Sequence, residues 1–97
     1  MTSARSEIAE TDRLVRMSDL IAADMDGETV MMSVENGAYF GLRGVGNRVW
    51  DLLETPCSLH ELTETVISEY AVDRDTCQDD LREFLKNMVE NGLVRKV

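Results

Sequence analysis

The chain has 97 residues, a length that fits one small domain. Ten Lys and Arg residues against 19 Asp and Glu residues give a formal charge of −9, which disfavours a partner held through a phosphate backbone, so we expect no nucleic-acid partner. A hydrophobic fraction of 43% with 30% charged residues is typical of a folded domain, because a disordered chain lacks the apolar area that offsets its ordering entropy.

We expect no targeting signal in the N-terminal region. Residues 1–10 are small, polar and charged, and they predict a flexible tail ahead of a domain at residues 11–97. The first twenty residues contain no apolar signal core, and no stretch approaches the ~20 apolar residues of a membrane-spanning helix. Cys57 and Cys77 are too few for a disulfide framework. We therefore expect a cytoplasmic protein with free thiols and no membrane contact.

Two turn dipeptides, Asp26-Gly27 and Asn36-Gly37, separate three short apolar runs. Such dipeptides favour two-residue hairpin loops with left-handed backbone. The pattern predicts a three-stranded antiparallel meander with strands at Leu20–Met25, Thr29–Val34 and Ala38–Leu42. Residues Arg13–Met17 are a candidate extension of its first strand.

Both faces of this meander are largely apolar. One face carries Leu20, Ala22, Met31, Phe40 and Leu42, and the other carries Ile21, Ala23, Val30, Met32, Val34 and Tyr39. A small sheet packed on one layer of helices normally has one polar face. The second apolar face therefore needs cover from the N-terminal segment, a second subunit or a ligand, unless the register is displaced by one residue.

A change to helical periodicity after Gly44 predicts a first helix that runs to about Glu54. Its apolar side consists of Val45, Val49, Leu52 and Leu53, with Trp50 beside them, and Pro56 marks its end. The segment Ser58-Leu59-His60-Glu61 then reads as a capping box that starts a second helix.

A third helix begins at Asp73 or Asp75, either of which has a side chain suited to capping, and ends at Gly92. The last residues, 93–97, form a short strand or wing in this prediction. The expected fold is therefore α+β: a winged helix-turn-helix with a three-stranded antiparallel N-terminal sheet followed by three helices.

The chain has few residues suited to catalysis or metal binding. His60 is its only histidine and belongs to the capping box, which leaves no catalytic triad. Cys57 and His60 lie three residues apart, but a structural metal site needs about four ligands. The glycines lack the spacing of a nucleotide-binding loop. We predict no enzyme activity, no metal and no cofactor.

The third predicted strand, Ala38–Leu42, lies at a sheet edge and has neither Pro nor Lys to block pairing. Its free backbone groups are available to an extended peptide, which gains affinity from backbone hydrogen bonds and specificity from side-chain pockets. Protection of this edge by the tail or by dimerisation is the alternative.

The third predicted helix is acidic. Its early turns carry Asp73, Asp75, Asp79, Asp80 and Glu83. A solvated face that complements the helix dipole is one explanation, and attraction of a basic segment of a partner is the other. The recognition helix of a DNA-binding winged helix needs Lys and Arg, so these acids disfavour DNA binding.

Two segments, NGAYFGLRGVGNRVWDLLETPCSLHELTETVISEY and DLREFLKNMVENGLV, resemble the PqqD-like family of RiPP recognition elements over residues 25–94. The resemblance is carried by the G-x-Y-F-G-L strand leading into V-G-x-R-V-W-D-L-L, the S-x-x-E-L helix start and the closing N-G-L-V. It implies a winged helix-turn-helix fold that holds the leader of a ribosomally synthesised precursor peptide while a partner enzyme acts on the core.

The resemblance also implies the site. In the family the leader adds a strand to the third strand and lies against helix three. Carried onto this chain, the pairing backbone belongs to Ala38, Tyr39, Phe40, Gly41 and Leu42, and the opposite wall consists of Asp80, Leu81 and Phe84. Tyr39 and Phe40 point to opposite faces, so only one of them contacts the leader strongly.

Within the family, the W-D-L-L helix and the Y-F-G-L strand look most like the standalone leader-binding proteins of lasso-peptide biosynthesis. Quinone-cofactor members tend to carry a Pro-Glu pair where this chain has Glu35-Asn36. We predict a non-catalytic module that binds a leader by β-augmentation and presents it to a leader protease or other maturation enzyme, such as a cyclase. The alternatives are a PqqD-type chaperone for a quinone-cofactor precursor and, less favoured by the charge, a winged-helix DNA regulator; a homodimer stays open.

Overall fold

Two small antiparallel sheets and three helices make up the part of the chain that the structure, a computed structural model, describes: residues 7–18, 20–34 and 37–97. In chain order the elements are β1 (Arg13–Arg16), β2 (Leu20–Met25), β3 (Glu28–Ser33), β4 (Ala38–Leu42), α1 (Gly44–Leu52), β5 (Cys57–Ser58), α2 (Leu59–Glu69), α3 (Arg74–Glu90) and β6 (Val94–Lys96). One sheet has the order β2-β3-β4 and the other β5-β1-β6. The predicted α+β class is confirmed. The structure contains the predicted N-terminal sheet and also a second sheet that was not predicted.

The meander β2-β3-β4 forms where it was predicted. Its first loop is the dipeptide Asp26-Gly27, whose φ angles of 56° and 81° match the type I′ turn expected of a two-residue hairpin. The second loop is longer than predicted, because Ser33 lies opposite Ala38 and four residues separate the strands. Asn36 of the predicted turn lies outside the described residues. The pairing is displaced by two residues, and an even displacement leaves the predicted division of side chains between the faces unchanged.

Strand β1 does not extend β2, so the predicted role of Arg13–Met17 is wrong. It pairs with β5 on one side and β6 on the other, as the central strand of the second sheet. Leu14 is fully buried, and the backbone N–H of Met17 donates to the carbonyl of Leu93 at 2.9 Å. These partners are remote in sequence, and a short local pattern cannot specify them.

The packed part of the chain begins before residue 11. Ile8 is 5% exposed and belongs to the core, and its carbonyl accepts a hydrogen bond from Arg82 Nε of α3 at 3.0 Å. Lys96 of β6 donates to the carbonyl of Glu7 and pairs with Asp12 at 3.2 Å. The carbonyl of Glu10 also accepts from the N–H of His60 at 3.1 Å. Residues 7–10, expected to belong to a flexible tail, therefore contact the domain, whereas residues 1–6 lie outside the described residues.

The start of α2 is the predicted capping box. Ser58 Oγ accepts from the N–H of Glu61 at 3.1 Å, and Glu61 Oε1 accepts from the N–H of Ser58 at 2.9 Å. These bonds satisfy two backbone donors that a helix N-terminus leaves free. Hydrogen bonds from the backbone N–H and from the side chain of Ser58 hold the pKa of the Glu61 carboxyl below its ordinary value, because they favour its charged form.

The two ends of α3 are also defined locally. Asp73, not Asp75, is the cap, since its carboxylate accepts from the N–H of Thr76 at 3.1 Å. At the other end Gly92, with φ of 72°, donates to the carbonyl of Val89, and Leu93 donates to Met88. This pair of bonds is a Schellman motif, which requires the left-handed residue that glycine supplies.

Within the described residues, no helix has the length and apolar character needed to cross a membrane.

Strand β3 attaches the meander to the helices. Every second residue of it is buried, with Thr29, Met31 and Ser33 exposed by 7%, 1% and 3%. Thr29 donates to the side chain of Asn47 in α1, and Asn47 donates to the carbonyl of Gly27 at 3.3 Å. The core continues through the helical region with Val49, Trp50, Leu53, Leu59, Leu62, Val66, Cys77, Leu81, Leu85 and Met88. One face of the meander thus packs on the helices.

The capping box generates a stability prediction. Replacing Ser58 by Ala removes one of the two reciprocal bonds, and we expect the free energy of unfolding in urea to fall by about 1 kcal/mol. The matched control is Ser68→Ala in the same helix, where the hydroxyl is exposed and donates only to the carbonyl of Thr65. Equal effects of the two substitutions would contradict the capping role.

Candidate functional site

Strand β4 is an edge strand, as predicted. It pairs with β3 on one side, and no described strand pairs with its other side. Phe40 and Leu42 pack against the core, whereas Tyr39 is 74% exposed and Gly41 is exposed. The outer backbone edge of Ala38–Leu42 is therefore available for pairing with an extended segment.

The register of β4 separates its two aromatic side chains. Phe40 lies opposite the buried Met31, and Tyr39 lies opposite Met32. Because neighbouring residues of a strand point to opposite faces, Phe40 belongs to the face that packs on the helices and Tyr39 to the outward face. The aromatic side chain of β4 that faces the helices is therefore Phe40.

An apolar groove of about 270 Å³ lies between the start of α1, α2 and α3. Its lining consists of Val45, Gly46, Val66, Val72, Thr76, Cys77, Asp80, Leu81 and Phe84. The three α3 residues singled out from the sequence all belong to it, although they differ in exposure: Asp80 is exposed, Phe84 half-buried and Leu81 only 4% exposed. Leu81 therefore forms the floor of the groove.

Gly46 is the point at which the groove meets β4. A Cβ atom on Gly46 would lie 3.5 Å from Phe84 Cε1 and 3.8 Å from Leu42 Cδ2. No β4 residue is among the described residues that line the groove, and Leu42 approaches this lining at Gly46. The structure thus brings the end of β4 next to the α3 wall, with Gly46 between them.

Sequence reasoning missed six of the lining residues. These are Val45, Gly46, Val66, Val72, Thr76 and Cys77. Two of these residues are unusual for their position. Gly46 is a glycine inside a helix, which lowers the stability of that helix. Val72 is an aliphatic residue between two helices, and its side chain is 46% exposed. The other four lie on helical faces that pattern analysis assigns to the core or to solvent.

Ion pairs hold the helices around the groove. Arg48 of α1 donates from Nε and Nη2 to the two carboxylate oxygens of Glu69 on α2, each at 2.9 Å. Arg74 at the start of α3 pairs with Glu64 of α2. Hydrogen bonds from these arginines lower the pKa of Glu69 and of Glu64, because they favour the charged carboxylates.

The thiols and the histidine show no arrangement typical of catalysis. Burial raises the pKa of Cys77, and the nearby charge of Asp80 adds to that effect. Burial also raises the pKa of Cys57, so neither thiol is activated as a nucleophile. His60 Nδ1 lies 3.0 Å from Glu10 Oε1 and Nε2 lies 3.8 Å from Glu64 Oε1. Among the described residues, no three His, Cys, Asp or Glu side chains gather in a way that fits a metal ion.

In the part of the chain that the structure describes, the outward face of the meander is apolar and largely exposed. Ile21, Met25 and Tyr39 are exposed by 60%, 61% and 74%, and Ala23, Val30 and Met32 lie among them. The division of faces predicted from the sequence is confirmed. The described N-terminal segment does not cover this face, because residues 8–16 pack with α2, α3 and β6 instead.

The fold and site together define a class: a small α+β domain with an open sheet edge beside an apolar groove. A sequence profile described as "Coenzyme PQQ synthesis protein D (PqqD)" matches residues 28–94. Since the match spans more than half of the chain, this protein belongs to the PqqD family. No curated protein sequence matches it closely enough to count as a relative.

Two solved structures are similar to the chain. One is described as "TbiB1 in Complex with the TbiA(beta) Leader Peptide"; it is 36% identical, with a TM-score of 0.76, over 82% of this chain and 93% of that one. The other, "Lasso peptide synthetase B1 complexed with the leader peptide", is 22% identical, with a TM-score of 0.66, over 89% of this chain and 98% of that one. The second likeness bears on the fold alone.

The Arg48–Glu69 pair generates a prediction about acid stability. Because the folded-state pKa of Glu69 is lowered, its contribution is present above the unfolded pKa and is lost as the pH falls through the folded pKa. A double-mutant cycle with Arg48→Met and Glu69→Gln, measured by urea unfolding, is expected to show a favourable coupling energy at pH 7 that shrinks as the pH falls through the lowered pKa of Glu69. A coupling energy that is unchanged at low pH would contradict the ion-pair assignment.

Proposed function

We propose that this protein is a non-catalytic recognition module that binds the leader of a ribosomally synthesised precursor peptide and presents it to a maturation enzyme in lasso-peptide biosynthesis. The observation that carries the proposal is the edge of β4, with which no described strand pairs, near the apolar groove of α3. The 36% identical relative is described in complex with a leader peptide, and its chain is matched almost in full. The winged helix-turn-helix description of the domain is part of the same proposal.

In this mechanism the leader adds a fourth strand to the meander. Backbone hydrogen bonds to Ala38–Leu42 supply affinity that depends little on leader sequence. Leader side chains on the helix side contact the groove, where Phe84 forms a wall, Leu81 the floor and Asp80 the rim. Alternate side chains project from the outward face, beside Tyr39.

Presentation requires a second contact, and the bare outward face is available for it. An added leader strand extends this face, so the enzyme is offered a continuous surface of module and leader. The leader protease or cyclase is the proposed partner, and the module itself has no catalytic role. Two free cysteines support the proposal that it acts in the cytoplasm.

The two alternatives differ in support. The description of the matched family favours a PqqD-type role in quinone-cofactor synthesis as the second candidate. Glu35-Asn36, which stands where quinone-cofactor members tend to carry Pro-Glu, lies outside the described residues. A DNA-binding role is opposed by the exposed carboxylates of Asp75, Asp79, Asp80 and Glu83 on α3, which repel phosphate.

The deciding experiment is an amide NMR titration of the labelled protein with the TbiA(beta) leader peptide, used as a probe. We expect saturable shifts in residues 38–42 and 76–84, while β1 and β6 of the other sheet stay unchanged. Saturable shifts confined to the second sheet, or no shifts with this peptide or with a leader from the protein's own gene neighbourhood, would overturn the proposal.

Phe84→Ala tests the groove. Truncating a half-buried aromatic wall is expected to weaken binding of the TbiA(beta) leader about tenfold, the usual range for an aromatic binding residue. The matched control is Val97→Ala, which trims a 57% exposed apolar side chain beyond β6 and is expected to change the affinity less than twofold. Circular dichroism verifies that both variants fold. An unchanged affinity in folded Phe84→Ala would remove the groove from the binding site.

A paired substitution tests the outward face. Ile21→Asp with Met25→Asp is expected to leave leader affinity within about twofold, because β2 is the far edge of the sheet, yet to slow cleavage of the bound precursor by the leader protease about tenfold. Val97→Asp is the control for added charge. A wild-type dimer in sedimentation that the double variant dissociates would instead assign this face to a second copy of the chain.

A further inference from the structure

Among the described residues that line the groove, one has a charged side chain. Asp80 carries that charge, Thr76 and Cys77 are the other residues with polar atoms in their side chains, and the remainder are apolar. Asp80 is exposed, and no Lys or Arg of the described residues pairs with its carboxylate. Its negative charge acts within the groove, since it adds to the effect of burial in raising the pKa of Cys77, an effect that the charge of Arg74 partly opposes.

The nearby cations are already engaged. Arg74 pairs with Glu64. Arg82 lies 3.5 Å from Asp79 and donates to the carbonyl of Ile8. The rim of the groove around Asp80 is therefore negative, and its charge complement is a cation supplied by the bound segment.

The spacing along α3 sets where that cation belongs. Asp80 and Phe84 are four residues apart, so they lie on one helix face about 6 Å apart along its axis. Two residues of an extended strand span about 6.6 Å and place their side chains on the same face. A leader strand lying along α3 therefore reaches both groups with residues at positions i and i+2.

We propose that the groove selects leaders in which an apolar side chain and a Lys or Arg are separated by one residue. The apolar side chain packs against Phe84 and Leu81, and the cation pairs with Asp80. Asp80 is thus a specificity-determining residue of the leader site, a conclusion that rests on the proposed leader-binding function. The preference is modest, because an exposed ion pair changes affinity by about two- to fivefold and is screened by salt.

The test is a positional scan of the TbiA(beta) leader peptide by fluorescence anisotropy. Each position is replaced in turn by Lys and by Gln, and the peptides are bound to wild type, Asp80→Asn and Glu90→Gln. Glu90→Gln is the matched control, because it removes the same charge from the exposed far end of α3. Repeating the scan at about 1 M salt, where the screening length is about 3 Å, identifies the electrostatic part.

We expect wild type and Glu90→Gln to prefer Lys over Gln two- to fivefold at a position two residues from an apolar anchor, and Asp80→Asn to lose that preference. High salt is expected to abolish it as well. A preference that survives Asp80→Asn, or no preference while the Gln peptides still bind, would overturn the role of Asp80 but leave leader binding intact. Failure of the parent peptide and the leader from the protein's own gene neighbourhood to bind wild type would overturn leader binding itself and, with it, this inference.

Discussion

The alternation of burial along β3 is the constraint on which the rest of the structure depends. Thr29, Met31 and Ser33 point toward the helices, and the contact between Thr29 and Asn47 fastens that face to α1. Since strand pairing transmits the alternation to both neighbours, it also decides that Phe40 and Leu42 face the helices and Tyr39 does not. A one-residue slip would expose Met31 and bury the outward face.

Local signals predicted the local structure well. The Asp26-Gly27 turn, the Ser58–Glu61 capping box and the glycine end of α3 are each specified by a few adjacent residues, and each is found as predicted. Features that depend on distant partners were not predictable in this way. The sequence around Leu14 indicates a strand but not which strands it joins, and Ile8 looks like part of a polar tail until its place beneath Arg82 is known.

In the candidate site, too, some features could be predicted from the sequence and others could not. The edge strand could be read from its position after a hairpin, and family resemblance indicated the α3 residues. The exposure of these α3 side chains could not be predicted from the resemblance. Leu81 is buried at the floor of the groove, whereas Asp80, one position earlier, is exposed to solvent. Gly46 could be noticed as a glycine within a helix, yet only the structure shows that it lies between Phe84 and Leu42, where a Cβ atom would be in ordinary van der Waals contact with both.

The bare outward face has a consequence for how the protein behaves at high concentration. Besides this apolar surface, the meander has two edges without a described neighbour, β2 and β4, and such edges favour association between sheets. The formal charge of −9 opposes that association through mutual repulsion of the molecules. Acidification neutralises the carboxylates while the apolar face stays uncovered, so colloidal stability is lost as the net charge approaches zero. The acidic composition therefore opposes self-association through the apolar face and open edges of the meander.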